Sequence, residues 1–404
     1  MDRDQLERYR DIYAKDLFGS VLPFWVNNGF DRVNGGIDTC LDREGKVFSA
    51  EKSVWMQGRG GWLFARVCNV FGRDEQYQAM ARNALDFIKD HCIDPVDGRL
   101  YFQVLSDGTP LRKRRYVFSE YFYIMANAEY YGLTKEMRYL EEARKYHSLV
   151  TEIWKDPSDD PFKITPKFLP GAPAMRSLCN DMMLMAVTMT LRANDPANRE
   201  LYLELERRLL NGIVRYQFNE EFGTLLESVG AHGEYIGELS AGRAVSPGHC
   251  LEAVWYMLKE MEDLREPALV GRIEKIYEGA FKYGKDEKYG GLLYMVDVAG
   301  YPVQAYENDM KLWWVHTEAI IAAIKLYRTT RKEQYWNDFV TLTEYAFSHF
   351  RDEKYGEWYG YLRRDGSPTE PVCKGNIFKG PFHVPRMYCE VLTELDELEK
   401  QTEV

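Results

Sequence analysis

YGGLLYMVDVAG (289–300) and YGEWYGYLRRDG (355–366) are two copies of the pattern that decides the fold. Each opens on glycine, continues through alternating apolar and aromatic residues and ends on glycine. Glycine supplies the turn and the alternation suits a half-buried strand, so each reads as a small hairpin. Further copies are NGGIDTCLDREGK (34–46), DGRLYFQVLSDG (97–108) and FGTLLESVG (222–230). Counted from Gly36, Gly98, Gly223, Gly291 and Gly356, the intervals are 62, 125, 68 and 65 residues. The double interval implies an omitted member near position 160, where the chain instead reads DPSDDPFKITPKFLPGAP.

Around these hairpins the apolar periodicity is helical, over about 4–28, 52–72, 75–91, 114–131, 135–154, 174–193, 198–217, 248–263, 268–283, 310–329, 333–350 and 384–400. A unit of two amphipathic helices cannot bury its faces alone. Six such units predict an all-α fold, an (α/α)6 barrel: a closed toroid of six helix pairs with short β-hairpins at one end. An open solenoid would need polar capping repeats, and neither terminal helix is unusually polar. The expectation is a single domain over 1–404, with the hairpins at one end and the loops entering the inner helices at the other, converging on a central funnel.

Composition narrows the function. A net charge of −11 without a basic stripe argues against nucleic acid or an anionic membrane as partner. The short basic knot Arg112 to Arg115 reads as the solvated start of a helix. The charged N-terminus is not a signal peptide, and no apolar run approaches a membrane span. Seven cysteines without CxxC spacing predict a protein of a reducing compartment with no structural zinc. Phosphate-loop, GxGxxG, HExxH and GxSxG signatures are absent, as are metal-ligand clusters.

Two histidines stand where Pro/Gly loops give way to helices: His249 in SPGHCLEAVW and His383 in KGNIFKGPFHVPR (374–386). Such presentation fixes the backbone while leaving the side chain accessible, as two-base proton transfer requires. Glu252, three residues after His249, is expected on the same helical face as its supporting carboxylate. In KSVWMQGRGGWLFARV (52–67), Arg59 reads equally as a guanidinium stacked on the neighbouring tryptophans or as an anchor for sugar hydroxyls and developing negative charge. In NDMKLWWVHTEAII, Trp314 and Glu318 share a face, and the Glu318 carboxylate needs a partner such as a sugar or Arg59. Gln57, Asn180, Trp313 and Trp314 complete the candidate substrate contacts. Asn180 is the one polar group expected inward from MRSLCNDMMLMAVTM, while the methionines read as packing. His91, His147, His232, His316 and His349 read as structural or surface residues.

With NGGIDTCLDREGKVF, KSVWMQGRGGWLF, FSEYFY, SPGHCLEAVW, MKLWWVHTEAIIA, FRDEKYGEWYGYLRRDG and KGNIFKGPFHVPR in view, the chain resembles the N-acylglucosamine 2-epimerase (renin-binding protein) family nearly end to end. The resemblance implies reversible epimerisation of N-acetylglucosamine and N-acetylmannosamine at carbon 2 of the open-chain sugar. By the matching positions, His249 and His383 are the proton-transfer residues, with Arg59, Glu318 and Arg386 as polar site residues and Glu252 supporting the first histidine. NDMMLM, where related disaccharide epimerases and mannose isomerases carry another histidine, suggests the N-acyl branch. The resemblance further implies a cytoplasmic homodimer activated by ATP without hydrolysis, with no cofactor consumed and no metal. Lys163 and Lys167 in the 156–173 loop are the candidate nucleotide contact, and the reaction would serve sialic acid synthesis or the salvage of N-acetylmannosamine. Competing readings are an aldose–ketose isomerase or epimerase of another free sugar of mannose type, a glycoside hydrolase, and a non-enzymatic protease-binding protein.

Overall fold

The computed structural model describes residues 3–113, 117–155 and 172–402. Fourteen helices occur among them: α1 (Arg3–Asp16), α2 (Leu22–Asn28), α3 (Val54–Phe71), α4 (Glu75–His91), α5 (Phe118–Thr134), α6 (Met137–Lys155), α7 (Leu178–Asn194), α8 (Arg199–Gly212), α9 (Ser240–Arg243), α10 (Pro247–Leu264), α11 (Val270–Gly284), α12 (Trp313–Thr330), α13 (Glu333–His349) and α14 (His383–Thr402). The stretch expected as one helix over 4–28 is divided by a π-helical turn, Leu17–Val21. Pro23 has no N–H to continue an α-helical ladder there.

The helices alternate between two rings. α3, α5, α7, α10, α12 and α14 form the inner ring, packed in chain order, and α14 returns to α3 to close it. The toroid of six pairs expected from the repeat is therefore present. Outer helices bury one stripe, as α4 does with Met80, Ala81, Ala84, Leu85, Phe87 and Ile88. Inner helices are buried almost all round: in α12 every residue from Val315 to Tyr327 is buried. That difference is what separates a surface helix from a core helix. Gly58 allows the tight α3–α5 contact, since a Cβ there would lie 2.6 Å from Phe122 Cβ.

The hairpins do not lie opposite the inner-helix starts, as expected, but lead directly into them. Short turns join α3, α5, α7, α10 and α12 to the outer helix that follows each, while α14 packs against α1; at the other end the described hairpins carry the chain from an outer helix to the next inner helix. Strand segments before the inner helices pair antiparallel with the following hairpin: 51–53 with 103–105, 175–177 with 228–230, 244–245 with 296–297, and 311–312 with 361–362. A bridge between Asp42 and Cys373 joins the first hairpin to the segment between the last hairpin and α14. The site thus sits inside a belt of backbone hydrogen bonds.

One device recurs in the hairpins. Asp31, Asp94, Asn219, Asp286 and Asp352 each accept, at side-chain Oδ1, the backbone N–H two residues on, at 2.8–3.2 Å. Four of the five are aspartates, each bound by a lysine: Lys52–Asp31 2.5 Å, Lys113–Asp94 2.8 Å, Lys311–Asp286 2.9 Å and Lys374–Asp352 3.0 Å. Where asparagine replaces aspartate, no charge needs neutralising. The glycines that follow take the left-handed backbone, as Gly291 does with φ +66°.

The omitted hairpin near 160, the 156–171 part of the proposed nucleotide loop with Lys163 and Lys167, the start of the helix expected at 114, and the Arg114–Arg115 half of the basic knot lie outside the described residues. No described helix is long and apolar enough to cross a membrane.

Candidate active site

The inner-helix N-termini surround a cavity of about 520 Å³. Trp55 and Arg59 reach it from α3, Phe118 and Phe122 from α5, Cys179 and Met183 from α7, His249 and Glu252 from α10, Trp313 and Trp314 from α12, and His383 from the first turn of α14. At α3, α7, α10 and α12 a short strand of the belt runs directly into the helix, and the chain turns inward there.

His249 follows Pro247 at the start of α10, where Ser246 Oγ accepts its backbone N–H at 3.4 Å. Its Nδ1 lies 2.9 and 3.0 Å from the two carboxylate oxygens of Glu227. The acceptor is a carboxylate, so Nδ1 carries the proton and Nε2 is the remaining ring nitrogen. Burial pulls the imidazole down, but Glu227, then Glu252 and Glu318, outweigh it, and His249 is raised above the ordinary histidine value.

His383 is the opposite case. Its Nδ1 donates to Glu318 Oε1 at 2.9 Å. Arg386 Nη2 reaches the same oxygen at 2.7 Å, so the 3.1 Å between Arg386 Nη2 and His383 Nδ1 separates two donors sharing one acceptor. Burial, then Arg386 and Arg59, hold His383 well below the ordinary value. The imidazole is neutral at physiological pH, with Nε2 as its lone-pair nitrogen. Both imidazoles pack near the Trp314 ring, with centroid separations of 5.0 Å for His249 and 5.9 Å for His383.

Glu252 supports His249 through its charge and not, among the described residues, through the hydrogen bond expected of a shared helical face. It accepts from Arg386 Nη2 at 2.7 Å and from Tyr256 Oη at 3.1 Å. Sharing a helical face with His249 was insufficient, because Arg386 supplies a buried cation on that face. Nor is Arg59 the partner of Glu318, which binds His383, Arg386 and the indole N–H of Trp255 at 2.8 Å. Arg59 stacks between Phe122 and Phe382, 4.2 and 4.7 Å from the ring centroids, not on the tryptophans. Its Nε is buried without a hydrogen bond among the described residues. Burial first, then Arg386, push its pKa down to about 10, so it remains a cation facing the cavity.

Two candidate contacts are corrected. Gln57 is fully buried and closes the first hairpin, accepting from Ile37 N and donating to Ile37 O, both at 2.7 Å. Asn180 is exposed; Cys179 and Met183, one helical turn apart, face the cavity instead. Trp313 and Trp314 line the cavity as expected. His316 and His147 are structural: His316 accepts from Leu292 N at 3.0 Å, and His147 pairs with Thr188 Oγ1 at 2.9 Å. Sequence reasoning missed Glu227, although it is a carboxylate in the apolar run LLESV, between Leu226 and Val229, both buried.

Glu252, Glu318 and His383 bring donor atoms within 4.8 Å of one another, a set chemically able to ligate a cation. Arg386 already bridges both carboxylates at 2.7 Å. Its guanidinium supplies the positive charge that a metal would bring.

An inner ring of helix N-termini holding two oppositely tuned histidines and an arginine with no ion pair among the described residues defines the class: an (α/α)6-barrel enzyme. The fold is shared with cellobiose 2-epimerase of Spirochaeta thermophila, at a TM-score of 0.85 and 21% identity over 98% of this chain and 99% of that one. Residues 35–379 match the family model described as N-acylglucosamine 2-epimerase (GlcNAc 2-epimerase), and the chain belongs to that family. It is 35% identical over 397 residues to N-acylglucosamine 2-epimerase of Bos taurus, covering 95% of this chain and 90% of that protein. The Homo sapiens enzyme of the same name is 34% identical over 393 residues, with the same coverage.

Proposed function

We propose that this protein interconverts N-acetylglucosamine and N-acetylmannosamine by deprotonation and reprotonation at carbon 2 of the open-chain sugar. The observation that carries the reading is a pair of histidines on one cavity, each held at Nδ1 by its own carboxylate. One imidazole removes the proton alpha to the aldehyde, leaving an enediolate-like anion; the other returns a proton from the opposite face. Arg59, with no ion pair among the described residues, is placed to stabilise that anion. Arg386 and Glu318 orient His383, and the Trp313–Trp314 wall offers the sugar a stacking surface. Phe118, Phe122, Cys179 and Met183 give the acyl methyl an apolar side.

The family resemblance supports a cytoplasmic homodimer that consumes no cofactor and takes ATP as an activator, its product available to sialic acid synthesis. The test is proton NMR of N-acetylmannosamine with the protein in deuterium oxide, with and without ATP. N-acetylglucosamine deuterated at carbon 2 is expected. No reaction on that substrate, with free mannose converted to fructose, would transfer the protein to the aldose–ketose isomerases.

A further inference from the structure

We infer that Glu227 is a positioning residue of the reaction: it fixes the His249 imidazole with Nδ1–H turned toward the hairpin and Nε2–H presented to the cavity as the proton donor. The inference rests on the epimerase reading and extends it: that reading uses the Glu227–His249 contact but gives the carboxylate no role in deciding which histidine carries the proton.

The geometry is built rather than incidental. Glu227 is held by its own backbone on both sides: its N–H donates to Ala244 O at 3.0 Å and its carbonyl accepts from Leu178 N at 3.0 Å. It therefore joins the strand leading to α10 with the start of α7. Leu225 and Leu226 before it are fully buried, so the strand cannot slide without exposing them. Both carboxylate oxygens approach His249 Nδ1, and the Trp314 ring packs beside the imidazole. A carboxylate at this distance selects the tautomer and favours the imidazolium.

The other charges around His249 do not supply this function. Glu252 and Glu318 are already bound to Arg386. The cations Arg59 and Arg386 act chiefly on His383, the other titratable imidazole of the cavity. Cys179 and Tyr294, pushed up by burial first and then by Glu227, stay neutral. Glu307 lines the cavity from the 299–310 connection and is exposed. Glu227 is thus the carboxylate that touches His249.

In one direction His383 Nε2 takes the carbon-2 proton and His249 Nε2–H donates its own to the other face; the C–H bond broken is replaced by the one formed. The active enzyme holds one proton on the pair. Because the equilibrium constant between epimers does not depend on pH, the high-pH limb of kcat/KM reports loss of that proton in both directions.

The experiment combines NMR titration of His249, assigned by its loss in His249→Gln, with kcat/KM against pH for wild type, Glu227→Gln and Glu227→Asp. Wild-type His249 is expected to titrate above the ordinary histidine value. In Glu227→Gln its midpoint and the high-pH limb should fall together, by about 1 pH unit or more, equally for both epimers, with Glu227→Asp partly restoring them. A reduced kcat with an unmoved limb and an unmoved His249 titration would overturn the inference, as would a wild-type His249 titrating below the ordinary value. Should neither epimer react with wild type, the epimerase reading fails, and the titration alone decides whether Glu227 governs His249.

Discussion

Glu318 Oε1 lies 2.9 Å from His383 Nδ1. The same oxygen binds Arg386 Nη2 at 2.7 Å, and Glu318 is fully buried. One carboxylate therefore fixes the imidazole and balances the guanidinium beside it. Glu318→Gln should lower kcat by about 10–100-fold, as outer partners of active groups commonly do. Glu318→Ala also removes one of the two carboxylates that hold Arg386, leaving Glu252, and should destabilise in urea unfolding by less than the about 3–5 kcal/mol of breaking a lone buried pair. Loss of activity without loss of stability in the alanine variant would contradict the shared role.

Arg59 makes the complementary prediction. It has no ion pair among the described residues and is half-buried, stacked against two phenylalanine rings. Replacing it with methionine, which keeps the apolar stem contacts, should leave the melting temperature unchanged or raised while kcat falls about 10²–10³-fold. Equal losses of stability and rate would mark it as structural.

Gln57 should behave in the reverse manner. It closes the first hairpin through two hydrogen bonds to Ile37. Gln57→Ala leaves those backbone groups unsatisfied and should cost about 1–3 kcal/mol, with KM of the folded fraction unchanged. A raised KM at full stability would restore Gln57 as a substrate contact.

Acid stability follows from buried neutral histidines, His147 and His316 together with His383 of the site. Burial holds His147 down to about 4 and His316 down to about 3. Both lie below the unfolded value of about 6.5, so on acidification the unfolded chain takes up protons that the folded chain does not. Stability should fall as pH drops below about 6.5, by up to about 1.4 kcal/mol per pH unit for each histidine. The fall from His147 ends near its folded value. Urea midpoints between pH 7 and 5 measure the slope, and His147→Gln should remove one histidine's share. An unchanged slope in that variant would contradict the assignment.

The hairpin glycines and helical periods made the toroid legible, because both are local and repeat every 62–68 residues where the copies adjoin. The lysine partners of Asp31, Asp286 and Asp352 were not legible, since they join residues 21–25 positions apart across a turn and a strand. His249 and His383 were found because Pro/Gly loops announce their helix starts. Their carboxylates divided: Glu318 was found through its face on α12, whereas Glu227 comes from a neighbouring hairpin 22 positions from its histidine. Asn180 shows how narrow the margin is. A step of one residue turns a helix by about 100°, enough to place Cys179 in the cavity and Asn180 outside it.

The central claim is that two histidines act from opposite faces of one carbon. Deuterium exchange at carbon 2, followed by proton NMR for each epimer separately in His249→Asn and His383→Asn, tests it most directly. The account predicts that neither variant epimerises, that one still exchanges the carbon-2 proton of N-acetylglucosamine only, and that the other exchanges that of N-acetylmannosamine only. Exchange of the same epimer by both variants, or epimerisation by either, would contradict it.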